Sequence, residues 1–298
     1  MNLRSRFKVI TYATLAITLI CAALLTLCFF LSFDGALGYF KEGAISSLFM
    51  AAYIVSVAFA IASPYIYIKC KKISVENQTA SPFFKVICAA VGAVSVIYAI
   101  YGAVLAFTAG KPSVYSLLSL LGALALGAYL ICIAAAGGIE YSGAKLALLC
   151  ASVLFPLGTT MRYLFVMYRP SNSVENILFA IFAVALLLYI LNEGKRMISG
   201  VSSRAYTASL LLSLLSSLTL SVSYVAGYIG NKLSEADRFR DMLLCLALGI
   251  YFVCATISFI SSAKEQEDAE PAQEAENAND DPPSTDSEPA SSESDDAQ

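Results

Sequence analysis

Apolar residues fall in runs of about twenty along this chain, and polar residues gather in the short gaps between them. The runs are Val9 to Leu31, Ala44 to Ile68, Phe84 to Phe107, Val114 to Ala136, Ala144 to Met167, Val174 to Leu191, Tyr206 to Ile229 and Met242 to Ile260. The hydrocarbon core of a bilayer is about 30 Å thick, and an α-helix crosses it in about twenty residues. Lipid offers the backbone no water to bond, so a spanning segment closes its own hydrogen bonds as a helix. The pattern predicts an all-α polytopic membrane protein with eight transmembrane helices. The first run follows Arg4, Arg6 and Lys8, as the core of a signal peptide would. It is longer than the roughly 7 to 15 residues of such a core and continues into Phe29-Phe30-Leu31, so it reads as the first span.

One apolar stretch occurs twice. Leu124 to Cys132 reads L-A-L-G-A-Y-L-I-C, and Leu246 to Cys254 reads L-A-L-G-I-Y-F-V-C. Ser95-Val96-Ile97-Tyr98 answers Ser221-Val222-Ser223-Tyr224 at a similar offset, and Cys21-Ala22 answers Cys150-Ala151. Tyr65-Ile66 with Lys71-Lys72 answers Tyr189-Ile190 with Lys195-Arg196. The shared order points to an internal duplication, with residues 1–136 as a first four-helix repeat and 137–262 as a second. Four spans return the chain to its starting face, so the two repeats are expected to be parallel, about an axis along the membrane normal.

Charge changes the picture at the C-terminus. Residues 1–262 carry 18 Lys and Arg against 9 Asp and Glu, whereas residues 263–298 carry one Lys against 13 acids. That last segment has no aromatic side chain and no aliphatic one larger than Ala, so it cannot bury enough apolar surface to fold and reads as a disordered acidic tail. In the membrane part, placing the N-terminus inside puts 12 basic residues on the cytoplasmic side, among them Lys69, Lys71, Lys72, Lys195, Arg196 and Arg204, against 7 outside. The positive-inside rule then makes both termini cytoplasmic. The inner basic residues would also attract anionic lipid head groups. Of eight cysteines only Cys70 lies in a polar loop, and none shows C-x-x-C spacing, so no metal or redox site is expected.

Absences narrow the chemistry. There is no histidine, which removes Ser–His nucleophilic catalysis and H-E-x-x-H zinc sites. None of the eight runs, as bounded above, has an acid in its middle, as a proton relay would require. No enzyme, cofactor, metal or nucleic-acid partner is expected.

The candidate site centres on Arg162, about five residues below the outer end of the fifth span. An ionisable group at that depth is costly and marks a ligand or gate site, unless it snorkels outward to the head groups. Pro156 lies six residues earlier and frees the carbonyl of Ser152, which Thr159 or Thr160 could bond. Asp34, Glu42 and Glu175 occupy equivalent outer loops, and Glu175 or Asp34 is the expected partner of Arg162. Ser209, Ser213, Ser216 and Ser223 share one face of the seventh span, either as packing residues or as a polar path. Ala123 with Gly127, and Cys245 with Gly249, are small pairs four apart at equivalent repeat positions, where helix backbones can approach closely.

The stretch holding Arg162, Ser171-Asn172-Ser173-Val174-Glu175-Asn176 and Lys195-Arg196-Met197-Ile198-Ser199-Gly200 resembles uncharacterised multi-pass membrane proteins of Gram-positive bacteria. That resemblance implies a bacterial plasma membrane and no particular activity. The functional expectation is a non-enzymatic membrane protein that binds or translocates a small molecule or lipid between the repeats. The alternative is a scaffold or regulator whose acidic tail binds a basic cytosolic partner.

Overall fold

A computed structural model describes residues 3–34, 39–41, 43–68, 72–75, 81–108, 113–136, 141–165, 174–230 and 236–265. Glu42, Cys70, Lys111 and the tail from residue 266 onward lie outside the described residues, as do the side chains of Asp34 and Glu175. The helices are α1 (Leu3–Leu31), α2 (Ala44–Tyr67), α3 (Pro82–Thr108), α4 (Val114–Ala136), α5 (Gly143–Ser152), α6 (Leu154–Phe165), α7 (Val174–Ser199), α8 (Arg204–Ile229) and α9 (Ala236–Ser262). Together α5 and α6 form one span, giving, among the described residues, eight helical segments long and apolar enough to cross a membrane. Large apolar side chains cover the outside, among them Val55, Ile66, Val114 and Ile229. In water such a surface would be strongly unfavourable; in lipid it needs no partner. The bundle is an all-α, multi-pass membrane protein.

Several helices run past their apolar runs. The seventh helix, α7, continues to Ser199 rather than Leu191, and α9 begins at Ala236 rather than Met242. A hydropathy boundary stops at the first charge, but the backbone stays helical wherever that charge finds a partner.

The fifth span is broken where Pro156 demands it. Proline has no N–H for the carbonyl of Ser152, and its ring crowds that carbonyl. The chain leaves the α-helix for one residue at Val153, whose N–H bonds the Cys150 carbonyl at 3.2 Å instead. The expected role of the threonines is corrected here. The Thr160 hydroxyl bonds the carbonyl of Pro156 itself, at 2.8 Å, and the Thr159 hydroxyl shares a hydrogen bond of 2.8 Å with Ser119 of α4.

Residues up to Gln266 pack as one unit. At its centre α8 is enclosed by α1, α2, α7 and α9, while α3 packs on α4 and α9, and α4 on α6. Among the α8 serines, Ser209, Ser216 and Ser223 each bond a carbonyl of their own helix, and Ser223 also reaches the Ala22 carbonyl of α1 at 2.9 Å, whereas the buried Ser213 hydroxyl has no hydrogen-bond partner among the described residues. Gly127 meets Gly92 on α3, and Gly249 meets Leu218 and Ser217 on α8, so each of these glycines lies against the helix that precedes its own.

On the face that holds the chain's start, three short strands close the bundle. They are β3 (Lys72–Val75), β4 (Val201–Ser203) and β5 (Ala263–Glu265), antiparallel in the order β4-β3-β5. They tie together the ends of α2, α7 and α9. A two-stranded pair, β1 (Phe33–Asp34) and β2 (Tyr39–Phe40), lies between α1 and α2.

Candidate functional site

Two buried, ion-paired clusters lie toward opposite faces of the bundle. The first is on the face away from the N-terminus. Arg162 sits in the last turn of α6 and is only 7% exposed; Asp241, in the first turns of α9, is 4% exposed. The Arg162 guanidinium donates from Nη2 to Oδ2 of Asp241. The Tyr163 hydroxyl donates to the same oxygen at 3.2 Å, and the Tyr98 hydroxyl of α3 donates to Oδ1 at 2.9 Å. Arg240 brings a second guanidinium to within 3.6 Å of Oδ1 and lies over the Tyr98 ring, 5.1 Å from its centroid. One carboxylate thus joins α3, α6 and α9.

Small residues make this convergence possible. A Cβ on Gly158 would lie 2.8 Å from the Cα of Ser119, and one on Gly122 would lie 2.6 Å from the Cα of Phe155. The α4 and α6 backbones therefore touch directly, four residues before Arg162. On α3, a Cβ at Gly102 would come 3.4 Å from a guanidinium nitrogen of Arg240.

The second cluster lies toward the N-terminal face. Glu193 and Arg196 are three residues apart on α7, with Nη2 to Oε1 at 2.7 Å. Both are buried, and Glu193 is wholly so. The Tyr129 hydroxyl of α4 donates to the same Oε1 at 3.2 Å. The Arg196 guanidinium lies over the Tyr206 ring of α8, 4.7 Å from its centroid. The hydroxyls of Tyr189 and Tyr251 share a hydrogen bond of 2.7 Å, and Tyr251 packs against Phe84 of α3. Five helices meet here around one ion pair. Burying a charge in a low-dielectric interior is tolerated only when a partner and further hydrogen bonds replace water. Tyrosine hydroxyls meet part of that condition in both clusters, while Oε2 of Glu193 and Nε of Arg162 have no hydrogen-bond partner among the described residues.

The carboxylate described at Arg162 is Asp241, which an apolar run beginning at Met242 leaves outside the eighth span. The side chains of the expected partners, Glu175 and Asp34, lie outside the described residues. Glu193 and Asp241 both belong to spanning helices, toward their ends and just beyond the apolar runs. Helical periodicity held the missing signal. Tyr189, Glu193 and Arg196 recur at helical spacing, as do Asp241, Cys245, Leu248 and Phe252, so both faces could have been extended through their charges. Of the remaining candidates, Thr159 is buried beside Arg162 and joined to α4, and Pro156 and Thr160 shape the kink.

Between the clusters, Ser95, Ala123, Leu126, Cys245 and Leu248 along α3, α4 and α9 are all buried. The grooves described on the bundle open sideways between helices and are apolar: one lies between α3 and α4 beside Leu120 and Leu124, one between α1 and α2 beside Cys21 and Val55, and one between α5 and α7. Among the described residues no group of His, Cys, Asp and Glu could hold a metal ion. Comparison with protein-family models, curated proteins and solved structures finds no match to this chain.

Proposed function

We propose that the protein is a non-enzymatic carrier of the plasma membrane, with both termini cytoplasmic, that binds a small molecule inside the bundle and passes it between the two faces. The observation that carries this reading is the pair of buried ion-paired clusters, one toward each face. Intramembrane charges are expensive and are kept where they serve a path or a switch. Asp241 and Tyr251, one from each cluster, are ten residues and about 15 Å apart on α9, so a single helix belongs to both closures. A carrier must never be open at both faces at once, and a conformation closed at both is a necessary intermediate. The absence of histidine supports a binding role over a catalytic one.

The two closures differ in what opening breaks. Parting α6 from α9 breaks the ion pair of Arg162 and Asp241. Moving α7 away from α4, α8 and α9 leaves Glu193 and Arg196 together but breaks the hydrogen bond from Tyr129 to the Glu193 carboxylate and the stacking of Arg196 on Tyr206.

Cys245 tests this without knowledge of the ligand. It is buried one turn beyond Asp241 on α9. In sealed vesicles a membrane-impermeant thiol reagent, read by mass spectrometry of each cysteine peptide, should label Cys245 slowly in the wild type. In Asp241→Asn it should label it at least about tenfold faster, and only from the face away from the N-terminus. Cys21 and Cys28, buried in α1, should stay unlabelled, which separates opening of a path from general loosening. Cys245 unreactive from either face in both proteins would reject the carrier reading.

A second reading, favoured by the acidic composition of residues 263–298, is a scaffold whose tail engages a basic cytosolic partner. Removing the chain beyond Gln266 distinguishes them: carriage of a solute survives the truncation and a scaffold does not.

A further inference from the structure

The groove between α5 and α7 has a shape and charge that the ion-paired clusters do not account for. Its volume is about 520 Å³. Leu146, Leu149, Cys150 and Val153 line one wall, at the i, i+3, i+4, i+7 spacing of a single helix face. The other wall runs along α7 from Ile190 through Gly194 to Ile198 and Ser199. From Ile190 to Ser199 it extends about 14 Å along the helix axis, close to the roughly 15 Å of hydrocarbon in one leaflet. The walls are apolar except for Lys195, which is exposed and lies about one turn short of the end at the N-terminal face, and Ser199 at that end. Toward that face α5 begins at Gly143, and its N-cap residue Ser142 makes no side-chain capping bond. The groove exists because two features keep the helices apart and the wall low. The break at Val153 redirects the fifth span, and Gly194 has no side chain to fill the space, with Leu146 and Leu149 at 3.6 and 3.7 Å from where its Cβ would be.

We infer that this groove is a binding site for one anionic phospholipid of the leaflet at the N-terminal face, with an acyl chain lying between α5 and α7 and its phosphate against Lys195. An apolar slot one leaflet deep fits a single chain end-on, and its sides already face lipid. A zwitterionic lipid would fill the slot equally well, so the cation at the head-group end supplies the preference for negative charge. The long Lys195 stem lets the ammonium rise to the phosphate while its methylenes stay on the groove wall. The inference is independent of any solute path, because the groove opens to the bilayer and is not lined by Glu193, Asp241 or their tyrosines.

The test uses the full chain purified in detergent, with native mass spectrometry counting bound palmitoyl-oleoyl phosphatidylglycerol against palmitoyl-oleoyl phosphatidylcholine. The wild type should hold one phosphatidylglycerol with a clear preference over phosphatidylcholine. Lys195→Gln should lower that preference about fivefold, the usual effect of one basic residue at a head group, while retaining phosphatidylcholine. Gly194→Leu, which fills the slot from a lipid-facing position, should abolish the site for both lipids. Displacement by millimolar inorganic phosphate would show a simple anion site and overturn the inference. So would an unchanged preference in Lys195→Gln. If Gly194→Leu lowers thermal stability, Gly194→Val with a smaller side chain should still halve occupancy or the assignment fails.

Discussion

Replacing Gly122 by alanine adds one methyl group where α4 and α6 cross. The new Cβ would fall onto the backbone nitrogen of Phe155 and lie 2.5 Å from the carbonyl carbon of Leu154 and 2.6 Å from the Phe155 Cα. Ordinary van der Waals contact begins at 3.4 Å, so the two backbones must part by roughly 1 Å or more. No side-chain rotation can relieve the clash, because every atom met is main chain. Overpacking of this kind costs about 1–3 kcal/mol, and a backbone-on-backbone clash belongs at the upper end. The separation also stretches the Ser119–Thr159 hydrogen bond, which is 2.8 Å in the native packing, for about 0.6 kcal/mol more. The total of about 3 to 4 kcal/mol corresponds to a drop in Tm of roughly 6–15 °C for a chain of this size. The chain lacks tryptophan, so unfolding is best followed with a thiol-reactive dye that reports exposure of the buried Cys21, Cys28, Cys88 and Cys245. Gly143→Ala is the control: its Cβ would meet nothing within 4 Å, and its Tm should stay within the small range expected of a neutral surface change. Equal melting temperatures for Gly122→Ala and Gly143→Ala would refute the close crossing.

Three further outcomes follow from the same geometry. Glu193→Gln or Arg196→Gln alone leaves a buried charge without its partner and should cost about 3–5 kcal/mol, whereas the double substitution should cost clearly less than the sum; strictly additive losses in thermal unfolding would contradict the pairing. Gly200 links α7 to β4 with φ +67° and open space where a side chain would go, so Gly200→Ala should lose about 1–2 kcal/mol from backbone strain alone and Gly200→Asn less, a ranking that a melting series reads directly. Reporter fusions after Lys72 and Arg196 should give cytoplasmic signals and a fusion after Lys111 an external one; a cytoplasmic signal at Lys111 would reverse the assigned orientation.

The span count and the helical fold were legible because lipid imposes one strong rule, a run of apolar residues long enough to cross. The site was legible only in half. Arg162 stood out as a lone charge in an apolar run, and Pro156 as a helix breaker, and the chain breaks at the position Pro156 dictates. Asp241 was hidden because it follows Arg238 and Arg240, where hydropathy falls and the eye places a loop. Glu193 was hidden for the same reason beside Lys195 and Arg196. In both cases helix continuation is secured by tertiary partners, tyrosines from other helices, that no local window contains. The duplicated L-A-L-G motif placed Tyr129 and Tyr251 at matching positions without indicating that both would reach one cluster. The approach of Gly122 and Gly158 was also missed, since the small pairs singled out, at Gly127 and Gly249, lie on other helix contacts.

The two ion pairs respond differently to the electric field of a membrane. Glu193 and Arg196 ride on one rigid helix, so any motion of α7 carries both signs together and moves no net charge through the voltage. A single elementary charge crossing the whole field exchanges about 2.3 kcal/mol per 100 mV. Arg162 has no acid beside it on α6, whereas Asp241 shares α9 with Arg240, 3.6 Å away. In a carrier that parts these helices along the membrane normal, voltage would do work on α6, while α9 and α7 would each carry paired signs and stay electrically silent.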